Sequence, residues 1–196
     1  MPKQVDRAAR REEILTAAVR VFARQGYGGS RIEDIAREAG IAKGSVYLYF
    51  GSREEMLAAA FDGLAARSRE LLAEVGRHPG GGSERLRFLV RSVMRLLAQE
   101  RDLSRVLLDV WSMGVREPDW IDMAGFYRDY RAAVTAQLTA GERHGTEVAD
   151  AVDPVSHATV LVGAIEGCVL QALFDPSVDL AALAEPIVSL LVPPSR

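Results

Sequence analysis

Apolar residues recur at spacings of three and four along most of this 196-residue chain, and strand signals are absent throughout. The first stripe, Ile14, Ala18, Val21 and Phe22, predicts an amphipathic helix that turns at the Gly26-Tyr27 corner. Ser30 with Glu33 fits the S-x-x-E capping box, so a second helix is expected to begin there. Its stripe is Ile32, Ile35, Ala36 and Ala39, and Gly40 ends it. Ile41 is apolar and can plug the angle between helices. From Ala42 onward Val46 and Phe50 share one inward face, while Gly44, Ser45, Tyr47, Leu48 and Tyr49 occupy the rest of the circumference. A third, short helix over Ala42 to Tyr49 therefore exposes two tyrosines.

A fresh helix start at Ser52 to Glu55 leads into Met56, Leu57, Ala60, Phe61, Leu64, Leu71, Leu72 and Val75, one long helix that stops at the loop His78 to Ser83. With Ser83 as cap, Leu86, Leu89, Val90, Val93, Leu96 and Leu97 predict another helix, and Leu103, Val106, Leu107, Val110 and Trp111 a further one ending near Gly114. Glu117-Pro118-Asp119 opens the next, with Trp120, Met123, Phe126, Tyr127, Tyr130 and Val134 down one side until Gly141 to Gly145. Asp153-Pro154 caps a helix that runs to Asp175-Pro176, and Asp179 caps the last, which closes at Val192-Pro193-Pro194. The expected fold is all-α with about nine helices. It divides into a head over residues 1-51 and a second domain over 52-196, with 52-76 as the connecting helix.

Charge separates the same two parts. Residues 1 to 53 hold 10 Lys and Arg against 6 Asp and Glu, whereas residues 54 to 196 hold 14 against 21. A basic head on a chain of net charge -3 suits one end that meets phosphates. Lys3, Arg7, Arg10 and Arg11 could form an arm toward a neighbouring phosphate or minor groove, or simply solubilise the N-terminus. Met1 to Glu13 is charged and polar, with no signal-peptide pattern. The one cysteine, Cys168, excludes an internal disulfide and fits a reducing compartment. The apolar run near 158 to 174 is interrupted by Glu166 and flanked by Asp-Pro pairs, which argues against a membrane span. A cytoplasmic protein is expected.

Enzymatic chemistry finds no support. His78, His144 and His157 lack ligand spacing, so no metal cage is expected. Gly80-Gly81-Gly82 lacks the Lys and preceding strand of a phosphate loop, no Ser sits in G-x-S-x-G, and Cys168 lies in an apolar helix where a thiol only packs. No catalytic residue, cofactor or metal is expected. Exposed aromatics are costly without a partner, and a phenol offers an apolar face and a hydroxyl for a phosphate oxygen. Taken singly, Tyr47 and Tyr49 read as packing residues; taken with the turn, the spacing and the charge, they point to DNA.

The run IEDIAREAGIAKGSVYLYF, with the Gly26-Tyr27 corner before it and the Ser52 to Glu55 start after it, resembles the helix-turn-helix of the TetR family of bacterial transcription regulators. The resemblance covers about the first quarter of the chain. It implies that Ala42 to Tyr49 is a recognition helix, that Lys43, Gly44 and Ser45 face base edges, and that Ser30, Arg31, Tyr47, Tyr49 and Arg53 hold phosphates. The chemistry fits: a Lys ammonium can donate to guanine O6 or N7, and Gly44 permits close backbone approach. Position 49 is Tyr where many relatives carry His, and position 53 is Arg rather than the commoner Lys. Pro118, Trp120, Tyr127, Gly145, Asp153-Pro154, Gly167 and Gln171 are in turn similar to the BetI-type regulatory domain.

The helix from Pro154 to Phe174 is apolar nearly all round and needs a second partner. Gly163 and Gly167 would let another helix approach, and Leu170, Leu183, Ile187 and Leu190 continue the apolar surface. The resemblance implies a homodimer through these two helices, which would read both half-sites of a palindromic double-stranded operator, about 34 to 36 Å apart or a multiple of that turn. An inducer, small and mainly apolar, is expected among Val93, Leu97, Val106, Val110, Trp111, Met123, Phe126, Tyr127, Tyr130, Leu161 and Ile165, with Arg105, Asp109, Tyr127 and Glu166 as polar candidates. Glu166 could face either the inducer or the dimer interface. Two functions remain open: a repressor released from its operator by that ligand, and a constitutive DNA-binding or architectural factor whose second domain only dimerises.

Overall fold

The computed structural model describes residues 6–142 and 153–190, and the described residues form nine α-helices, one 3-10 turn and no strand. The Asp6 carboxylate accepts the backbone N–H groups of Ala8 at 2.9 Å and Ala9 at 3.3 Å and so caps α1 (Arg7–Gly29). Ile14, Ala18, Val21 and Phe22 are buried on one side of it, as their spacing predicts. Gly26 breaks the helix at φ 70 and ψ 157, a region essentially confined to glycine. The break swings Tyr27 back so that its ring meets Phe22 edge-on, centroids 5.6 Å apart.

α2 (Ile32–Glu38) starts at the expected place by a different device. Arg31 is its cap residue and contributes no side-chain bond, while the Ser30 hydroxyl turns backward and donates to the Tyr27 carbonyl at 2.8 Å. The expected Ser30–Glu33 box is not formed, because each side chain finds a better partner outside it. At the other end Gly40, at φ 66, permits the wrap in which the Ile41 N–H donates to the Ala36 carbonyl at 3.0 Å. α3 (Lys43–Val46) is shorter than the expected Ala42 to Tyr49. Beyond Val46 the chain tightens into three-residue bonds, Leu48 N–H to Ser45 O at 3.3 Å and Tyr49 N–H to Val46 O at 3.0 Å. Val46 and Phe50 are buried.

α4 (Arg53–Arg77) opens with a reciprocal cap: Ser52 Oγ accepts the Glu55 N–H at 3.2 Å, and Glu55 Oε2 accepts the Gly51 N–H at 2.7 Å. α5 (Gly82–Gln99) begins earlier than the expected Ser83 cap, with Gly81 in the cap position and Glu84 Oε2 accepting its N–H at 3.2 Å. α6 (Arg101–Arg116) follows. α7 (Met123–Glu142) starts later than Pro118, because Pro118 to Trp120 form a turn instead. It also continues through Gly141. The expected break to Gly145, His144 with it, otherwise lies outside the described residues, as do the Lys3 part of the basic arm and the end of the chain from Leu191. α8 (Pro154–Phe174) has the predicted Asp153 cap, whose carboxylate accepts the N–H groups of Val155 at 3.3 Å and Ser156 at 3.1 Å. Asp179 Oδ1 caps the 3-10 turn Ala181–Leu183 through Ala181 N–H at 3.0 Å, and α9 (Ala184–Ser189) follows, much shorter than the expected run to Leu191.

These helices pack as two compact units. The first gathers the chain up to Ala65 with Asp102–Asp122, so α1 to α3 share a core with the first part of α4 and with α6, whose Leu103, Val106, Leu107 and Val110 are buried. The second holds Ala66–Arg101 and the described residues from Met123, with α7 laid against α5 and α8 and α9 laid against α5.

Gly26 has open space around the position a Cβ would take, so a substitution there meets backbone strain alone. Gly26→Ala is expected to lower the unfolding free energy by about 1–3 kcal/mol, read by denaturant titration.

Candidate nucleic-acid interface and regulatory core

Burial of Val46 and Phe50 forces the rest of α3 and its following turn outward, which leaves Tyr47 49% and Leu48 69% exposed and Lys43 and Gly44 at the surface. Arg31 is exposed beside them, and Ser45 and Tyr49 are half-buried. The backbone at Gly44 has no side chain within 4 Å of its missing Cβ, so another molecule can approach closely there. Lys43, Gly44 and Tyr47 are thus exposed on α3 and the turn after it, and Arg31 is exposed at the start of α2.

Lys43 is engaged in the free chain. Its Nζ lies 2.6 Å from Glu33 Oε1, both side chains about half exposed. The hydrogen bond from Lys43 holds the Glu33 carboxyl below the ordinary carboxylate range, and the same bond raises Lys43 above the ordinary lysine value. The pair is therefore intact at neutral pH and is lost as pH falls through the depressed Glu33 value or rises through the raised Lys43 value. Exposed pairs of this kind contribute little to stability, so the ammonium is easily surrendered to another anion.

Ser30 and Arg53 have different surroundings. Ser30 is 2% exposed. One Arg53 Nη donates to the Tyr27 carbonyl at 3.0 Å and to the Ser30 carbonyl, and lies 3.3 Å from Ser30 Oγ, with the guanidinium 4.9 Å from the centre of the Tyr27 ring. Tyr27 in turn donates its hydroxyl to Glu54 Oε1 and its N–H to Asp109 Oδ2 at 3.0 Å. Burial, and then the bond to Glu54, push the Tyr27 hydroxyl well above the ordinary tyrosine value, while that bond lowers Glu54. Ser30 and Arg53 therefore brace the corner behind the exposed face. Asp109, expected on the inducer, is the α6 end of that bracing.

The other expected inducer contacts divide between the units. Val106 and Val110 are core of the first unit, Trp111 is half-buried there, and Arg105 is half exposed with its Nη1 3.6 Å from Asp102. Val93, Leu97, Met123, Phe126, Tyr127, Tyr130, Leu161, Ile165 and Glu166 belong to the second unit. There Phe126 lies 5.1 Å from Tyr130 and 5.7 Å from Tyr127, ring centre to ring centre. Burial raises the Tyr130 hydroxyl above its ordinary value, so it is a neutral donor.

Two residues absent from the expected set join this interior. Ser68 and Gln137 are 2% and 8% exposed. Gln137 Oε1 has no hydrogen-bond partner, and Ser68 Oγ stands beside Tyr130 without good bonding geometry. Buried acceptors without partners are uncommon in native interiors. Both were visible as polar interruptions of apolar stripes, Ser68 after Phe61 and Leu64, Gln137 after Tyr130 and Val134.

On α8, Ala158, Leu161, Ile165 and Val169 are buried, whereas Val155, Val160, Leu170 and Phe174 are exposed. Gly163 is exposed and Gly167 half-buried on that outer side, with nothing within 4 Å of either missing Cβ. Glu166 stands half-buried on the flank. Leu183 is half-buried and Leu190 exposed, but Ile187 is 4% exposed and belongs to the core of its own unit. By length and composition α8 could cross a membrane, at mean hydropathy 1.5 with 28% of its most apolar stretch buried.

Two family patterns match the chain: the one described as "Bacterial regulatory proteins, tetR family" over residues 14–60, and "BetI-type transcriptional repressor, C-terminal" over residues 82–191. Among characterised relatives, the fatty acid metabolism regulator protein of Bacillus subtilis is 28% identical over 182 residues, covering 92% of each chain. The structure of the fatty acid degradation regulator FadR from Bacillus halodurans superposes with a TM-score of 0.80 at 25% identity, covering 95% of this chain and 96% of that one. A putative transcriptional regulator from Saccharomonospora viridis, solved in complex with choline, gives 0.77 at 25% identity over 92% and 94%. The chain belongs to the TetR family of DNA-binding transcriptional regulators, a non-enzymatic family, and carries a BetI-type C-terminal domain.

Proposed function

We propose that this regulator is a cytoplasmic, dimeric repressor that leaves a palindromic operator when its second unit takes up a small, mainly apolar ligand. The observation that carries the DNA-binding half is the exposed face of Lys43, Gly44, Ser45, Tyr47, Tyr49 and Arg31, backed by a corner whose polar groups are already satisfied. Lys43, Gly44 and Ser45 read base edges there, and Arg31, Tyr47 and Tyr49 hold phosphates. Ser30 and Arg53 act behind them by fixing where α2 and α4 begin.

The ligand half rests on the aromatic cluster Phe126, Tyr127 and Tyr130 together with Ser68 and Gln137. Apolar walls with few convergent polar groups are the usual lining of a small-molecule site. The buried groups here are neutral, a phenol, a hydroxyl and an amide. They suit an uncharged polar group on an apolar body better than a bare cation. One relative is named for fatty acid metabolism and another was solved with choline, and the neutral lining suits an acyl chain better than the choline cation. Val93, Leu97, Met123, Leu161 and Ile165 supply the apolar contacts, with Glu166 at the edge. The outer side of α8, with Leu183 and Leu190, is the dimer face.

Gel-shift titration on cognate and scrambled DNA separates the two kinds of contact. Lys43→Ala is expected to lose about 1–3 kcal/mol of discrimination at one base pair, whereas Tyr47→Ala weakens both duplexes alike. Equal losses on both duplexes for Lys43→Ala would remove it from the reading set. Glu33→Gln, which frees Lys43 and deletes a negative charge beside the phosphates, is expected to tighten binding several-fold.

A dimer is expected by sedimentation at micromolar concentration. A Cβ at Gly163 or Gly167 meets nothing within 4 Å, so for the double substitution Gly163→Arg and Gly167→Arg, loss of the dimer with helicity unchanged identifies the face. A wild type that sediments only as monomer rejects it. An acyl ligand held in the second unit should raise the melting temperature and release DNA, and Gln137→Leu should weaken both responses together. Absence of any stabilisation across a panel of apolar metabolites would favour a constitutive DNA-binding factor.

A further inference from the structure

Beside the turn between α4 and α5, within the second unit, lies an open recess of about 620 Å³. That volume falls in the range of small-molecule sites. Arg87, Arg91 and Arg95 stand four residues apart on α5 and line one wall, so three guanidinium groups form a row. One carboxylate answers them, and a second stands at the rim. Glu185 of α9 accepts from Arg87 Nη1 and from Arg91 at 2.7 Å each, and Glu84 at the rim is occupied with the Gly81 N–H. Arg95 makes no ion pair among the described residues. At the other end His78 stacks on Phe88, centroids 4.5 Å apart and planes 25° from parallel, and its buried Nδ1 has no hydrogen-bond partner. Ser92 completes the wall between them.

A row of arginines that only solvates a helix needs no cavity in front of it and no ring nitrogen left bare. Planar guanidinium forks match phosphate oxygens two at a time, and aromatic faces accept a flat ring. We infer that this recess binds a small phosphorylated ligand of nucleotide type, its phosphates on Arg91 and Arg95 and its base against the His78–Phe88 end. Glu185 competes with that anion for Arg91, because both need the same donors. The site is separate from the DNA face and from the Tyr130–Gln137 interior, so it stands or falls independently of the repressor reading.

Calorimetric titration of the full chain with ADP, pyrophosphate and adenosine tests it in the absence of DNA. ADP is expected to bind, more tightly than pyrophosphate, with adenosine alone silent. Arg91→Ala with Arg95→Ala should weaken ADP at least about tenfold, the loss of two charge-assisted hydrogen bonds. Glu185→Gln should tighten it about threefold, and circular dichroism verifies that the variants keep their helices. No heat with millimolar ADP, or equal binding by the double arginine variant, overturns the site. Pyrophosphate binding as tightly as ADP overturns the aromatic seat, and an unchanged affinity in Glu185→Gln overturns the competition.

Discussion

The first unit is organised around one guanidinium. Arg53, at the first turn of α4, gathers the carbonyls of Tyr27 and Ser30 and covers the Tyr27 ring, joining the end of α1, the approach to α2 and the start of α4 at one point. A charge in a half-buried position persists only when its donors are met. Here the backbone carbonyls of Tyr27 and Ser30 meet them. Tyr27 then passes the constraint on, through its hydroxyl to Glu54 and its N–H to Asp109 on α6. The placement of α2, and with it of the α3 surface, depends on this knot and on the glycine-only turn that delivers Tyr27 to it.

Division of labour follows from burial. Groups whose hydrogen bonds close internally, Ser30 and Arg53, set positions, while groups held weakly at the surface are free to exchange partners. Lys43 belongs to the second kind: its ion-pair partner among the described residues is an exposed carboxylate, and that bond costs little to give up. The same contrast runs through the second unit, where Gln137 Oε1 and Ser68 Oγ are deep and without hydrogen-bond partners while Val155, Val160, Leu170 and Phe174 of α8 are exposed.

Local patterns carried most of the fold. Apolar spacing located the helices, Asp153-Pro154 and Asp179 named their caps, and Gly26 and Gly40 marked turns that their positive φ values require. What spacing misassigned were pairings settled by tertiary neighbours. Ser30 and Glu33 have the right interval for a box, yet Ser30 is drawn to Tyr27 and Glu33 to Lys43, ten residues on. Asp109 lies on a helix rich in candidate pocket residues, and only the folded chain brings it to the Tyr27 N–H. Pro118 looked like a first helical residue because Pro favours that position, but it serves equally well in a turn. For the candidate site, the exposure of Lys43 and Tyr47 could be read from the outward side of a short helix, while Tyr49 is half-buried; the carbonyl partners of Arg53 could not, since a basic residue near a recognition helix reads as a phosphate contact until they are seen.

On the proposed reading, α3 meets DNA with a lysine released from Glu33, on a frame that Arg53 holds still. A crystal structure of the chain on its operator tests this most directly. Lys43 Nζ is expected within hydrogen-bonding distance of a base edge and parted from Glu33, with the Arg53–Tyr27–Ser30 knot unchanged. Lys43 still bonded to Glu33 and distant from the bases, or Arg53 withdrawn from the knot to a phosphate, would contradict it.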